Sequence, residues 1–232
     1  MEQVKTIGVA IFNYLMIRMN NMGIDSDRRG FREIRKNLNN KIIFSPDEFA
    51  FECFYVVCVA GFKQDTAKMM CDKIINFILE NPDFTESDLE KIYHNRLKTR
   101  AIWNIWNNRH EYQKKFYSLN TPEDKVDFLQ TLPNIGPITK YHIARNLGLN
   151  FVKYDIWIQR LGVALCGKPE YADKVSNVKL LPEIKECCDR MINELHEETG
   201  EKIGFIDVVL WRACQKGLIK IQNSQVFIDK SI

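Results

Sequence analysis

Apolar residues recur every three or four positions along most of this chain, which is the spacing of one face of an α-helix. The run 49-FAFECFYVVCVAG-61 is apolar on nearly every face and predicts a helix at the centre of a bundle. Strand-like fragments at 219–222 and 226–228 are short and terminal, so the pattern contains no convincing alternating strand. An all-α protein is therefore predicted. Besides residues 49–61 and 65–79, the pattern predicts helices near residues 87–96, 97–115, 122–131, 137–147, 156–165, 181–198 and 203–216.

Three of the predicted helices begin with the same local chemistry. The stretch Ser45-Pro46-Asp47-Glu48 offers an N-cap hydroxyl, a proline at the first helical position and a glutamate three residues on. The stretch 121-TPED-124 repeats this order, and 85-TESD-88 repeats it without the proline. These signals predict helix starts immediately after Ser45, Thr85 and Thr121.

The composition is that of a globular protein, with 45% hydrophobic and 27% charged residues. The formal net charge is only +3, so a surface that binds nucleic acid has to come from local clustering of charge. The apolar run 7–17 follows Glu2 and is too short to span a bilayer, which predicts a core helix and no membrane association. The seven cysteines form no CxxC pair, and we expect reduced thiols in a cytoplasmic protein.

The segment 129-LQTLPNIGPITKYHIARNLG-148 separates two predicted helices by residues that suit a tight turn. We expect the turn at residues 132–136, with Gly136 taking the positive φ that other residues resist. Pro137 would begin the second helix, because its missing N–H is not needed at that position. The segment therefore predicts a helix-hairpin-helix.

The second helix of such a hairpin presents open backbone N–H groups at its start, and these suit a phosphate. Contacts of this kind hold DNA without reading its sequence. Taken alone, the segment fits DNA binding and a plain turn between helices equally well. The candidate DNA-binding residues are Gly136, Ile138 and Thr139 through their backbone, with Thr139 and Lys140 adding side-chain donors.

A single carboxylate, Asp155, begins the next predicted helix within 152-VKYDIWIQRLG-162. Free N–H groups and the helix dipole at this position favour the ionised form of a carboxylate. A fixed negative charge can stabilise the oxocarbenium-like sugar that forms when a glycosidic bond breaks. An aspartate is also a common N-cap with no further role, so the residues alone leave both interpretations open.

The hairpin LPNIGPITKYHIARNLG, a short loop and the aspartate of VKYDIWIQRL together resemble the helix-hairpin-helix-GPD superfamily of DNA glycosylases, which includes endonuclease III and 3-methyladenine DNA glycosylase II. Asp155 lies seventeen residues after Ile138, close to the usual spacing in that superfamily. The resemblance extends more loosely over residues 45 to about 165.

The resemblance implies two helical domains flanking a cleft. The first would be a central helical barrel of residues 45–135. Residues 1–44 and 136–232 would form the second domain, with the hairpin 122–147 at the junction.

The resemblance also implies a monomeric DNA glycosylase that binds double-stranded DNA, flips one nucleotide out of the stack and excises its base with Asp155. Superfamily members that also cleave the strand carry a nucleophilic lysine where this chain has Ile138. A monofunctional enzyme that leaves an abasic site is therefore implied. One alternative is a glycosylase/lyase that uses Lys140 or Lys153, and another is a non-catalytic helix-hairpin-helix protein that binds DNA.

Two further positions carry open interpretations. Trp157 stands where many superfamily members have a histidine, and it fits both stacking on a base and packing on its helix face. Gln64 lies near the point where members insert a side chain into the gap left by the flipped base, although a solvated amide is an equal match.

The resemblance implies a structural Na⁺ or K⁺ at the hairpin, bound by the main-chain carbonyls of Gln130, Leu132 and Ile135. No other cofactor is expected. The superfamily's iron–sulfur cluster needs four closely spaced cysteines, and the spacing of Cys166, Cys187, Cys188 and Cys214 does not fit it.

The identity of the base stays open at this stage. Oxidised or alkylated purines, mismatched adenine or thymine, and uracil are all substrates in the superfamily. A hypermodified pyrimidine from a viral genome is a further alternative, and its excision would make the protein a defence factor instead of a repair enzyme.

Overall fold

The chain folds into two compact units of helices. The computed structural model describes residues 1–24, 30–40, 42–61 and 64–230, and the backbone alone of residues 64 and 65. We call residues 42–147 the central unit, and residues 1–41 with 148–232 the terminal unit. Both units consist mainly of helices, which confirms the predicted all-α class.

The described helices follow one another along the chain with short connections. In chain order they are α1 (Val9–Asn21), α2 (Phe31–Asn39), α3 (Pro46–Val59), α4 (Gln64–Glu80), α5 (Glu86–Ile92), α6 (Arg96–Asn107), α7 (Arg109–Ser118), α8 (Pro122–Thr131), α9 (Thr139–Asn146), α10 (Ile156–Leu165), α11 (Pro182–Thr199) and α12 (Ile203–Gln215), with a 3-10 helix at Pro169–Lys174. Within the described residues, no helix is long and apolar enough to cross a membrane.

Helix α3 forms the middle of the central unit, as its sequence predicted. The Ser45 hydroxyl accepts the backbone N–H of Glu48 at 3.3 Å, and the Glu48 carboxylate accepts the backbone N–H of Ser45 at 2.8 Å. Most residues from Phe49 to Cys58 are buried, because α4, α6, α7 and α9 all pack against this helix. The predicted cap and the predicted central helix are both confirmed.

The predicted single helix over residues 97–115 is wrong. The structure has two helices, α6 and α7, separated at Asn108. The Asn108 side chain donates to the carbonyl of Asn104 at 2.9 Å. An asparagine side chain that bonds to the backbone competes with helical bonding, which explains the break at this residue.

The boundary between the units also differs from the predicted one. The prediction placed residues 136–147 with the terminal domain, whereas the structure keeps them in the central unit. The reason is packing, because α9 contacts both α8 and α3. Helix α4 begins at Gln64, but the side chain of this predicted DNA contact lies outside the described residues, as do Phe62 and Lys63.

The terminal unit contains a small antiparallel sheet that the sequence pattern missed. Strands β1 (Glu2–Val4), β2 (Ile219–Gln222) and β3 (Gln225–Ile228) pair in the order β1-β3-β2. Strands β2 and β3 are joined by Asn223 and Ser224, which both adopt a positive φ, at 49° and 58°. Each strand is too short for its alternation to stand out, and pairing with the distant N-terminus completes the sheet.

Helix α10 packs directly on α11 in the terminal unit, and this contact positions the start of α10. A Cβ atom added at Gly162 would lie 3.0 Å from the backbone nitrogen of Cys188. Only glycine permits so close an approach of two helix backbones. The first residues of α10 are therefore held on a rigid, buried element.

Candidate active site

The hairpin turn forms where the sequence predicted it, but Gly136 does not take the positive φ. Asn134 takes it instead, with φ at 60°. Asparagine tolerates the left-handed region better than most residues, because its short polar side chain can bond locally. The backbone N–H of Ile135 donates to the carbonyl of Leu132 at 3.2 Å and closes the turn.

The second hairpin helix begins two residues later than predicted, at Thr139 instead of Pro137. The Thr139 hydroxyl accepts the backbone N–H of Gly136 at 2.7 Å, so the predicted open amide at Gly136 is wrong. Ile138 occupies the N-cap position and supplies no side-chain cap. Among the described residues, no acceptor lies on the backbone N–H groups of Ile138 and Thr139. Two donors therefore remain open at the start of α9.

The side chains of Ile138 and Lys140, beside these donors, lie in different environments. Ile138 is buried, with 3% of its surface exposed. The Lys140 ammonium lies 2.9 Å from the Asp127 carboxylate of α8 and 5.3 Å from the Tyr141 ring centroid. An ion pair within the hairpin neutralises Lys140, which weakens the prediction that this lysine contacts phosphate.

Asp155 is the N-cap of α10. Its Oδ1 atom accepts the backbone N–H groups of Trp157 at 3.0 Å and Ile158 at 3.2 Å. Its Oδ2 atom lies 3.3 Å from the Lys153 ammonium. Asp155 is 7% exposed and its Lys153 partner is largely covered. Two backbone donors and one cation therefore contact this buried carboxylate.

The loop before α10 is strained and tied down around Asp155. Tyr154 has a φ of 51°, a conformation that costs a non-glycine residue roughly 1–2 kcal/mol. The buried Gln159 side chain donates to the carbonyls of Tyr154 and Ser176 at 2.7 Å each and accepts the Ser176 N–H at 3.0 Å. The Tyr154 hydroxyl donates to Asp189 at 2.6 Å. These bonds hold the backbone that orients the carboxylate.

An aromatic ring from α12 completes the surroundings of the carboxylate. The Lys153 ammonium lies 5.1 Å from the centroid of the Trp211 ring, within the range of a cation–π contact. Burial raises the pKa of the Cys214 thiol, and the negative charge of Asp155 raises it further. The sequence pattern predicted a helix over 203–216 without a role in the site, because the link from Trp211 to Asp155 runs through Lys153 and has no sequence signal.

Trp157 is exposed over 37% of its surface, which leaves a face of its ring open to solvent. The Arg160 guanidinium carbon lies 5.8 Å from its ring centroid. Packing on the helix face therefore accounts for only part of this side chain. Its role in a base pocket stays a prediction.

The predicted cation site draws on carbonyl oxygens at the end of α8 and in the turn. The carbonyl of Leu132 accepts one hydrogen bond, from Ile135, and a carbonyl oxygen has two lone pairs. Hard oxygen ligands suit Na⁺ and K⁺. The monovalent-ion site on the carbonyls of Gln130, Leu132 and Ile135 stays a prediction.

Comparison with known proteins places the fold. No protein-family model and no curated protein matches the chain. Two solved structures from Methanocaldococcus jannaschii are similar, each at 18% identity over 90% of this chain. One is an 8-oxoguanine DNA glycosylase, with a TM-score of 0.64 and 94% of its own chain covered. The other is an 8-oxoguanine glycosylase/lyase in complex with a 15mer DNA containing 8-oxoguanine, with a TM-score of 0.65 and 98% of its own chain covered. The 8-oxoguanine DNA glycosylase of Thermotoga maritima matches at 17% identity, with a TM-score of 0.61 and coverage of 90% and 97%. The chain therefore has the fold of 8-oxoguanine DNA glycosylases.

Proposed function

We propose that the protein is a DNA glycosylase, which releases a damaged, mismatched or modified base by hydrolysing its N-glycosidic bond. The observation that carries the proposal is the Asp155 carboxylate, buried at the start of α10 and fixed by two backbone N–H groups. The fold shared with DNA glycosylases supports the same conclusion.

The carboxylate would act on a charge that exists only in the transition state. As the base departs, the deoxyribose becomes oxocarbenium-like and gains positive charge at C1′ and O4′. Unit charges about 4 Å apart attract by roughly 4 kcal/mol at an effective dielectric of 20, which corresponds to roughly a thousandfold in rate. The bonds to Oδ1 hold Asp155 in place, so little reorganisation is needed when the charge appears. Water then adds at C1′ and leaves an abasic site.

The hairpin would bind double-stranded DNA by its backbone. The open N–H groups of Ile138 and Thr139 at the start of α9 are suited to one phosphate, because the helix dipole also favours negative charge there. A Na⁺ or K⁺ on the carbonyls of the turn would add positive charge beside that phosphate.

We propose that the DNA strand stays intact after base release. The hairpin position that holds the lyase nucleophile in bifunctional enzymes is Ile138, a buried side chain without a nucleophilic atom. The Lys140 amine lies 2.9 Å from the Asp127 carboxylate, and two residues along a helix place this side chain roughly 200° around the axis from position 138. The hairpin therefore offers no Schiff-base lysine.

A second candidate function, a glycosylase/lyase, is favoured by the position of Lys153. Its amine lies 3.3 Å from Asp155, a carboxylate that can accept the amine proton. The free amine would attack C1′ as the bond from C1′ to the base breaks, and opening of the C1′–O4′ bond would give the Schiff base. Loss of a C2′ proton would then break the C3′–O bond and release the 3′ phosphate. Borohydride reduction would trap a covalent protein–DNA adduct if this is the reaction. Loss of the adduct in Lys153→Met but not in Lys140→Met would assign it to Lys153, and absence of an adduct in the wild type would exclude the lyase.

The proposed function is tested with a panel of duplexes that carry oxidised, alkylated, mismatched and hypermodified bases, with 8-oxoguanine as the first member. Mass spectrometry of the supernatant identifies any free base. We expect one class of base to be released by the wild type and not by Asp155→Asn. Tight DNA binding without release from any duplex would instead indicate a non-catalytic helix-hairpin-helix protein.

A further inference from the structure

A recess in the terminal unit adjoins the first turn of α10 and has no part in the reaction described above. Its volume is about 190 Å³, and it opens to solvent. Trp157, Arg160 and Ala164 of α10 form one side of it, at the three- and four-residue spacing of one helix face. Ile221, Asn223 and Ser224 of the β2–β3 hairpin form another side.

The α10 side of the recess combines a flat aromatic surface with a positive charge. Trp157 keeps 37% of its surface exposed, and Arg160 is exposed beside it. The Arg160 guanidinium carbon lies 5.8 Å from the ring centroid. An aromatic ring beside an arginine is the combination on which single-stranded nucleic acid stacks its bases and neutralises its phosphates.

The hairpin side of the recess adds neutral polar groups. Asn223 brings an amide and Ser224 a hydroxyl, both at the tip of the two-residue turn. The lining includes the Arg160 cation and no carboxylate. The charge and the polar groups therefore suit an anionic ligand with a planar ring.

The recess also adjoins the candidate catalytic carboxylate along the chain. Trp157 is two residues after Asp155 in the chain, and its backbone N–H donates to Asp155 Oδ1. A ligand held on Trp157 is consequently positioned by the same helix end that holds Asp155.

We propose that this recess binds the nucleotide that neighbours the target nucleotide on the same DNA strand. Its base would stack on the Trp157 indole, and its phosphate would lie against the Arg160 guanidinium and the Asn223–Ser224 turn. The inference rests on the proposed glycosylase function, because it needs DNA at Asp155. Trp157 and Arg160 would then contribute to DNA affinity and to the preference for sequence next to the target, without a part in bond breaking.

The test uses duplexes with an uncharged, non-cleavable abasic analogue at the target position, so that binding is measured without base release. In one set of duplexes, the nucleotide directly 5′ or directly 3′ of the target also lacks its base. In a control set, the second missing base lies six positions from the target. Fluorescence anisotropy gives Kd for each duplex. We expect loss of the neighbouring base on one side to weaken wild-type binding about tenfold, and to have little effect in Trp157→Ala.

Two further variants test separate parts of the recess, and two others serve as controls. Arg160→Gln should lower the slope of log Kd against log salt by about one, whereas Arg190→Gln on exposed α11 should leave it unchanged. Ser224→Gly removes the hydroxyl at a φ of 58°, which glycine adopts readily, so a weaker affinity would not reflect a broken turn. Ile17→Ala removes another exposed apolar side chain, from α1, and should bind as the wild type does.

The outcomes separate this proposal from the proposed function. Removal of the neighbouring base could weaken binding equally in the wild type and in Trp157→Ala. That result would show that the recess does not bind the neighbouring nucleotide. So would an unchanged wild-type affinity on both sides. Base release is measured separately at saturating enzyme, and its absence in the wild type would overturn the glycosylase while these affinities still report on the recess.

Discussion

Helices α9 and α10 begin in different ways, and their first turns have opposite chemistry. Helix α9 begins at Thr139 with no side-chain cap and with two N–H groups open. Helix α10 begins with Asp155, whose carboxylate accepts two N–H groups of its own helix. The start of α9 has open donors, whereas the start of α10 already contains a carboxylate on its donors.

The two N-caps differ in side chain and in backbone, which is helical at Ile138 (φ −95°, ψ −41°) and extended at Asp155 (φ −73°, ψ 173°). Isoleucine at position 138 cannot accept a hydrogen bond, so the donors and the positive end of the helix dipole remain available. Aspartate at position 155 uses the same donors to fix its charge, and that charge becomes available to a cation. The proposed function assigns DNA phosphate to the start of α9 and a cationic sugar to the start of α10.

The largest effect is expected when the charge at α10 is removed and its cap is kept. Asparagine caps helices as well as aspartate does, so Asp155→Asn should fold normally. Base release should slow about a thousandfold, because the charge that stabilises the oxocarbenium-like sugar is gone. Single-turnover kinetics measure the rate, and thermal melting by circular dichroism checks the fold. A fall of less than tenfold would show that the α10 start is a cap alone.

The next effect concerns the support beneath Asp155. Gln159→Met keeps the side-chain volume but leaves the buried carbonyl of Tyr154 and the partly buried N–H and carbonyl of Ser176 without these partners. The free energy of unfolding should fall by about 3 kcal/mol, since each buried group left unpaired costs about 1–3 kcal/mol. Urea denaturation measures it. Gln3→Ala, at an exposed glutamine of β1, serves as control and should change stability by less than about 0.5 kcal/mol.

A negative charge introduced at the start of α9 should weaken the binding of DNA phosphate there. Thr139→Glu places an anion where the backbone donors are open, and Thr139→Gln loses the same hydroxyl without adding charge. We expect Thr139→Glu to bind duplex DNA about tenfold more weakly than Thr139→Gln, because the two anions repel and compete for the same donors. Anisotropy titrations compare the two. Equal affinities would show that α9 does not contact the DNA backbone.

The smallest effect is expected at the ion pair within the hairpin. Lys140→Met removes the partner of Asp127, a carboxylate that is itself largely exposed. The free energy of unfolding should change by less than about 1 kcal/mol, as is usual for exposed pairs. The salt dependence of DNA binding should also stay the same, because the ammonium is already neutralised. If the slope of log Kd against log salt fell by about one in Lys140→Met, the predicted phosphate contact of Lys140 would be supported.

Local signals in the sequence predicted much of this fold because short-range chemistry determines it. Capping residues placed the starts of α3, α5 and α8, and continuous apolarity identified α3 as a central helix. The hairpin and the N-cap aspartate were visible for the same reason. The small sheet was not, since β1 and β3 lie at opposite ends of the chain.

Details of the candidate site depended on contacts that spacing does not encode. Glycine was expected to take the positive φ in the hairpin and Pro137 to begin its second helix, but Asn134 takes the positive φ and α9 begins at Thr139. The Lys153–Asp155 pair, with Trp211 beside it, joins the loop before α10 to α12, more than fifty residues away. Tertiary packing sets these contacts, so the sequence pattern alone could not predict them.

The central claim is that Asp155 stabilises a positive charge on the sugar, and it can be measured without knowing the base. A duplex with a pyrrolidine at the target position carries a cation where the oxocarbenium-like sugar would form, and a tetrahydrofuran duplex is its neutral match. We predict that the wild type binds the cationic duplex at least a hundredfold more tightly than the neutral one, and that Asp155→Asn loses most of this preference. Equal preference in the two proteins would contradict the account.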